Sequence, residues 1–418
     1  MKAEILSTGN EVLYGTITDT NAAYISSKLR EWGLQVKRHT TLGDDLQDLV
    51  SFFQEASLRS EVVISTGGLG PTSDDLTASA VSKALGVELV FHEKAKESME
   101  EFFRERGKKP REEDYKQAYL PKGAQVLPNH KGTAPGFSVY IGNCQFFFLP
   151  GVPLEMKEML EKEVFFFLKK RGEELGKPLD PQEIKTISVF GLREVEVSTL
   201  LKDIEKEFQD IRLGYRARFP IIEVKIYSQK EQKRQVHVCE KRILTILENW
   251  LVSKEGKSYP EVVSELLMKK NATLAVAESC TGGLLAHQLT NIPGISQVFL
   301  FGGVTYSNEA KKKFLSVSSK SLETYGAVSI EVAKEMAQGA RKKSGATYGL
   351  ATTGIAGPSG GTKEKPVGTI CIGFASEEEV EGWRTVISFG DRQKNKEFFA
   401  TLALDFLARI LQGRPLLQ

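Results

Sequence analysis

The segment Ala277-Glu278-Ser279-Cys280-Thr281-Gly282-Gly283 constrains this chain more than any other. An apolar run, Leu274-Ala275-Val276, leads into it. A stretch with helical spacing, Leu284-Leu285-Ala286-His287-Gln288-Leu289, leads out. The order strand, small hydroxyl, two glycines, helix is that of an α/β unit. Backbone N–H groups at a helix start are unpaired and electropositive, and can hold an anion or a developing oxyanion. Two roles stand open for Ser279 here: nucleophile, or the helix N-cap that serine commonly provides.

The chain has 418 residues, too many for one ordinary core, so two or three domains are expected. A net charge of +2, from 56 basic and 54 acidic residues, removes any whole-chain electrostatic argument for nucleic acid or membrane binding. Cys144, Cys239, Cys280 and Cys371 are scattered, with no paired metal or redox spacing, which favours reduced thiols in a cytoplasm. His39, His92, His130, His237 and His287 show no ligand spacing either. The N-terminus reads as a core strand rather than a signal peptide, and no apolar run approaches the ~18–20 residues of a membrane span.

Short apolar runs alternate with amphipathic segments through roughly the first 165 residues, an α/β pattern. Candidate strands are 4–8, 35–40, 62–65 and 145–149. Residues 45–57 carry Leu46, Leu49, Val50 and Phe53 at helical spacing. A second helix is expected over 74–85, with Ser73 as N-cap and Gly86 as terminator. The mixed charges of 92–117 read as a solvated helix pair with a loop at 107–110. Residues 171–182 and 253–260 read as linkers. Between them, strands at 185–190 and 221–228 and helices at 195–208 and 232–251 describe a small α+β unit. It is KH-like in outline but lacks the GxxG loop that clamps a nucleic-acid backbone. The remainder is again α/β, with strands at 273–277, 297–306, 347–352, 368–374 and 381–388 and no sequence repeat between the halves. The expected architecture is two three-layer α/β domains, 1–170 and 258–418, joined by a small α+β (KH-like) connector, 183–252.

Three amino-terminal segments carry chemistry. The first is Thr8-Gly9-Asn10-Glu11-Val12-Leu13, followed by Gly15, Asp19 and Asn21. The second, Ser65-Thr66-Gly67-Gly68-Leu69-Gly70-Pro71-Thr72-Ser73-Asp74-Asp75, follows a β-branched strand. Its glycines let backbone approach a phosphate, and its carboxylates either complement a helix dipole or hold a divalent cation. The third is Leu149-Pro150-Gly151-Val152-Pro153, with Glu155 close behind.

Three further carboxy-terminal segments accompany the opening one: Tyr306-Ser307-Asn308-Glu309-Ala310-Lys311, Thr352-Thr353-Gly354-Ile355-Ala356-Gly357-Pro358, and Gly390-Asp391-Arg392. A serine needs a base to become a nucleophile, and a desolvated lysine can serve. Lys311 is the candidate base, against the alternative of a solvated face shared with Lys312 and Lys313. Tyr306 can relay a proton or orient the serine. Cys280 is a rival nucleophile. The glycine-rich Thr353–Gly361 loop suits a phosphate or carboxamide, against the alternative of a turn-rich connection, and Arg392 suits a phosphate or carboxylate, against a surface ion pair.

The amino-terminal segments, with Lys131-Gly132-Thr133-Ala134-Pro135-Gly136-Phe137, resemble the CinA family's first domain, itself similar to MogA/MoaB-type molybdopterin-binding domains. The carboxy-terminal segments resemble the CinA second domain, similar to stand-alone nicotinamide mononucleotide amidohydrolases. The resemblance spans nearly the whole chain. It implies two hydrolytic activities. One is deamidation of nicotinamide mononucleotide (NMN) to the acid with release of ammonia, without a cofactor. The other is metal-dependent hydrolysis of ADP-ribose to AMP and ribose 5-phosphate. For the first, the implied roles are Ser279 attacking the carboxamide, Lys311 as base with Tyr306 assisting, N–H groups near Thr281, Gly282 and Gly283 holding the oxyanion, and Thr353, Gly354, Gly357 and Arg392 binding the nucleotide. For the second, Gly67, Gly68, Gly70 and Thr72 would bind substrate and Asp75 would be catalytic. Asp44, Asp74 and Asp75 would hold a divalent ion of the Mg, Mn or Co class. A homodimer, no direct nucleic-acid contact and no membrane are further expectations. The alternatives are a non-catalytic partner protein in competence or DNA-damage response, and molybdopterin binding.

Overall fold

The computed structural model describes residues 1–174, 176–180, 183–228 and 232–416. They form two compact units, Met1–Glu183 and, from Ile184 onward, the rest.

The first unit is built on a six-stranded sheet. Its strands run, in spatial order, Gln35–Leu42, Lys2–Thr8, Val62–Thr66, Cys144–Leu149, Gly136–Ile141 and Gln125–Leu127. The first four are parallel and the last two antiparallel to their neighbours. The central strands are near-continuous apolar runs because helices cover both faces. Val63, Phe146 and Phe148 pack with Leu49 and Phe53 of helix Leu46–Arg59 on one side. Val62, Ile64, Phe147 and Leu149 pack on the other with Ile25 of helix Thr20–Glu31 and with Met156 and Leu160. This is the expected three-layer sandwich.

Three details of that unit differ from expectation. The helix placed at 74–85 begins only at Thr77, with Leu76 rather than Ser73 at its N-cap, although Gly86 does end it in the left-handed conformation. Asp75 explains the delay: its carboxylate accepts from the Thr72 N–H (2.9 Å) and hydroxyl (2.6 Å), holding 72–75 as a turn. The hairpin pairing Ile141 with Cys144 was not expected, although Gly142-Asn143 between two apolar runs is a hairpin signal. The 171–182 linker also begins inside a helix, Phe165–Glu174, and Leu179 packs onto the core. Pro181 and Gln182 lie outside the described residues.

The second unit contains two sheets. The smaller has strands Arg212–Arg218, Ile221–Ser228, Glu183–Phe190 and Leu251–Ser253 in that spatial order. Helices Glu194–Glu207 and Lys233–Ile246 cover one face through Val197, Leu201, Val236 and Ile243. The two-layer α+β expectation holds. The chain order βαββαβ with spatial order 2-3-1-4 is the split-βαβ arrangement, which departs from the KH-like outline.

The larger sheet is ordered Phe299–Val304, Leu274–Glu278, Tyr348–Gly354, Thr369–Ala375, Val380–Val386. Its first three strands are parallel and its last two antiparallel. Leu274 and Val276 face helices Tyr259–Lys269 and Arg392–Gln412, while Ala275 and Ala277 face helix Ile330–Ser344. The stretch 253–260 is not a free linker at its far end. Ser258 and Glu261 form a capping box with Pro260 in the first turn, starting a helix whose first residue, Tyr259, is buried. Phe190 of the small sheet packs against Tyr259 and Phe398, so the two sheets share core. Among the described residues no helix is long and apolar enough to cross a membrane.

Candidate active sites

The amino-terminal segments converge. Gly9 and Glu11, residues 66–71 with Asp74 and Asp75, and Pro150–Pro153 with Glu155 line one cavity of about 510 Å³ at the carboxyl ends of the central parallel strands, where open α/β sheets place ligands; Thr72, expected to bind substrate, is not in its lining. The loops are tied to one another. The Asn21 side-chain amide donates to the Gly151 carbonyl (2.7 Å), and the Gly67 N–H donates to the Leu149 carbonyl (3.0 Å). Gly67 has φ +102°, and a methyl group there would collide with the Thr8 carbonyl. Only glycine fits the turn.

Asp44, Asp74 and Asp75 line this cavity together with Glu11. Burial, then the charges of Glu11, Asp74 and Asp75, push the Asp44 carboxyl above its usual range. Concentrated negative charge of this kind is relieved by a cation. Among the described residues no three acidic, imidazole or thiol groups converge as a ready ligand cage. Asp44, with Asp74 or Asp75 beside it, offers the one or two carboxylates that an ion such as Mg²⁺ takes alongside water and substrate phosphate. Sequence reasoning left Glu155 without a role. Its carboxyl lines the cavity, is pushed up by burial and accepts from the Asn129 amide (2.7 Å). Asn129 also takes the N–H groups of Lys131 and Gly132 (both 3.0 Å), fastening the Lys131–Gly132 turn beside that carboxyl.

In the second unit, Ser279 follows strand Leu274–Glu278, and its N–H donates to the Thr352 carbonyl (2.9 Å). Lys311, in the first turn of helix Asn308–Leu315, reaches back to it: Nζ lies 3.1 Å from Ser279 Oγ. The same ammonium donates to the carbonyls of Thr305 (2.8 Å) and Tyr306 (3.1 Å). Lys311 is only 1% exposed, and burial brings it down to about 8. Lys312, its neighbour, pairs with Glu309. The base candidate is thus a buried lysine, distinct from the solvated face.

The helix start differs from expectation. Glu278, fully buried, accepts from Gly283 N–H (2.9 Å) and Leu285 N–H (3.1 Å) through one oxygen and from Ala286 N–H (2.8 Å) through the other. Gly282 N–H donates to the Ser279 carbonyl (3.1 Å). So Glu278, not Ser279, satisfies the helix start, and Gly282 and Gly283 are not free to hold an oxyanion. Cys280 does not rival the serine: its thiol is buried and pushed up to about 12.

Arg392 and Tyr306 form a second cluster. The guanidinium donates to the Gly357 carbonyl (2.5 Å) and to the Tyr306 hydroxyl (3.2 Å). The Tyr306 side chain is 61% exposed and turned to Arg392; its link to Lys311 is through its backbone carbonyl. Thr353 is buried, its hydroxyl donating to Ala327 (2.8 Å), while its neighbour Thr352 meets the Thr281 hydroxyl (2.7 Å). Gly354 packs where a side chain would crowd the Thr369 carbonyl and the Cys280 sulfur.

Residues 4–170 match the model of a probable molybdopterin binding domain, and residues 256–411 match that of the CinA C-terminal domain. A CinA-like protein of Desulfosudis oleivorans is 47% identical over 98% of this chain and 100% of its own length. The chain belongs to the CinA family. A CinA-like protein of Desulforapulum autotrophicum is 43% identical over 99% of both chains. Among solved structures, a competence/damage inducible protein of Agrobacterium tumefaciens is 37% identical, covering 37% of this chain and 95% of its own, with a TM-score of 0.35. The CinA family assignment places both motif sets in the domains where the cavity and the Ser279–Lys311 pair lie.

Proposed function

We propose that this CinA-family chain is a two-site hydrolase of pyridine nucleotides, deamidating NMN in the second unit and cleaving ADP-ribose in the first. The observation that carries the first reading is the buried Lys311 amine 3.1 Å from Ser279 Oγ, with its pKa lowered to about 8. In its neutral form Lys311 accepts the Ser279 proton, and Oγ attacks the carboxamide carbon. The Thr281 N–H would be the donor offered to the developing oxyanion. Ammonia takes the proton back from Lys311 as it leaves, and water, deprotonated by the same amine, releases the acid.

For ADP-ribose, one or two of Asp44, Asp74 and Asp75 would hold the cation, with water and substrate phosphate completing its shell, and the cation would neutralise phosphoryl charge. The 67–70 loop would approach the diphosphate, and Glu155, whose carboxyl is pushed up by burial, would form part of the cavity wall. The match of residues 4–170 to a probable molybdopterin binding domain favours a second reading, pterin binding in the same cavity.

Purified protein should release ammonia from NMN, and Ser279→Ala should abolish it. Ammonia release undiminished in that variant rules out the serine mechanism. AMP should form from ADP-ribose only with a divalent ion; no turnover together with saturable pterin binding would favour the second reading.

A further inference from the structure

The occupied helix start moves the anion-binding burden of the second site elsewhere. Gly283, Leu285 and Ala286 give their N–H groups to Glu278, whose buried carboxylate also opposes the helix dipole. An anionic substrate group is therefore not held by that glycine turn, and side chains must supply the charge. Two cations stand one helical turn apart on helix Arg392–Gln412, which has no acidic residue in its first turn. Arg392 is oriented by Gly357 and Tyr306. Lys396 is half-buried, and its ammonium lies over the nucleophile loop: a methyl placed on Gly282 would sit 3.4 Å from Nζ. Lys396 has no ion pair or hydrogen bond among the described residues. An ammonium beside Gly282 of that loop, with no partner among the described residues, is free to take an anion.

We infer that Lys396, with Arg392, binds the 5′-phosphate of the substrate and makes the site selective for a nucleotide over its nucleoside. This rests on the amidase reading. Arg392 presents a planar fork and Lys396 a point charge, a pair suited to a phosphate monoester.

The test compares NMN with nicotinamide riboside, which has the same amide and no phosphate. Lys396→Gln should lower the ratio of kcat/KM for NMN over riboside tenfold or more, through KM, and Lys396→Arg should restore most of it. An unchanged ratio, or equal losses on both substrates, overturns the inference. Calorimetric binding of NMN to Ser279→Ala, with and without Lys396→Gln, decides independently of turnover. A tenfold weaker Kd supports the phosphate role even if wild-type protein releases no ammonia, the outcome that sinks the amidase reading alone. Equal affinities, or no binding of NMN to either protein, overturn the phosphate role.

Discussion

At the scale of single residues, Lys311 governs the second site. As an ammonium it donates to three oxygens, Ser279 Oγ among them, and has no lone pair for the serine proton. Burial disfavours that charged form. NMN deamidation should therefore rise with pH through about 8, as the amine becomes neutral, and level off above it. The pH profile of kcat/KM measures this; a flat profile from pH 6 to about 9 would exclude Lys311 as base. Lys311→Arg keeps the charge but cannot lose its proton near neutrality, so it should be inactive at every pH in that range. The sign for folding follows too. Lys311 has a folded pKa below its unfolded one, so its burial penalty is full below about 8 and fades as pH rises toward the ordinary lysine value.

At the scale of elements, Glu278 holds the helix start by three N–H groups. Glu278→Ala leaves those donors unpaired and should cost about 1–3 kcal/mol or more, read as a lower Tm. Ser279 follows Glu278 directly, so kcat for NMN should fall with it; Glu278→Gln, which keeps one acceptor oxygen, should lie between. The 66–75 loop is the counterpart in the first unit. Gly67→Ala meets the Thr8 carbonyl and requires a left-handed φ. It should cost of the order of 1–3 kcal/mol and abolish ADP-ribose cleavage, measured by AMP formation.

At the scale of the whole molecule, the two units carry separate candidate chemistry, and perturbations should separate. Asp44→Asn should weaken cation binding, and so lower AMP formation and the cation-induced rise in Tm of the first unit, because Asp44 lies among the charges of Glu11, Asp74 and Asp75. NMN deamidation should be unaltered. A calorimetric scan with and without Mn²⁺ reads the Tm, and ammonia release from NMN reads the second site. The small sheet belongs energetically with the second unit: the buried Tyr259–Asp405–Arg409 network extends to the Asn249 carbonyl, and Phe190 sits in shared core. Phe190→Ala should cost about 3–5 kcal/mol and lower the transition of the second unit.

The sequence by itself determined the α/β class, nearly every central strand and the two motif sets, because apolar periodicity and glycine-rich strand ends are local signals. It also picked Lys311 as partner to Ser279, on the general ground that a desolvated lysine can act as a base. It could not show which lysine of Lys311, Lys312 and Lys313 is desolvated, since burial arises only when the helix folds against the sheet. Nor could it assign the helix-start donors. Glu278 ends a strand and Ala286 lies eight residues on, and only the turn between them brings the carboxylate onto those N–H groups. Tertiary structure thus decided which lysine lies buried against Ser279 and which carboxylate takes the helix-start donors, because both depend on distances across elements and on exclusion of water.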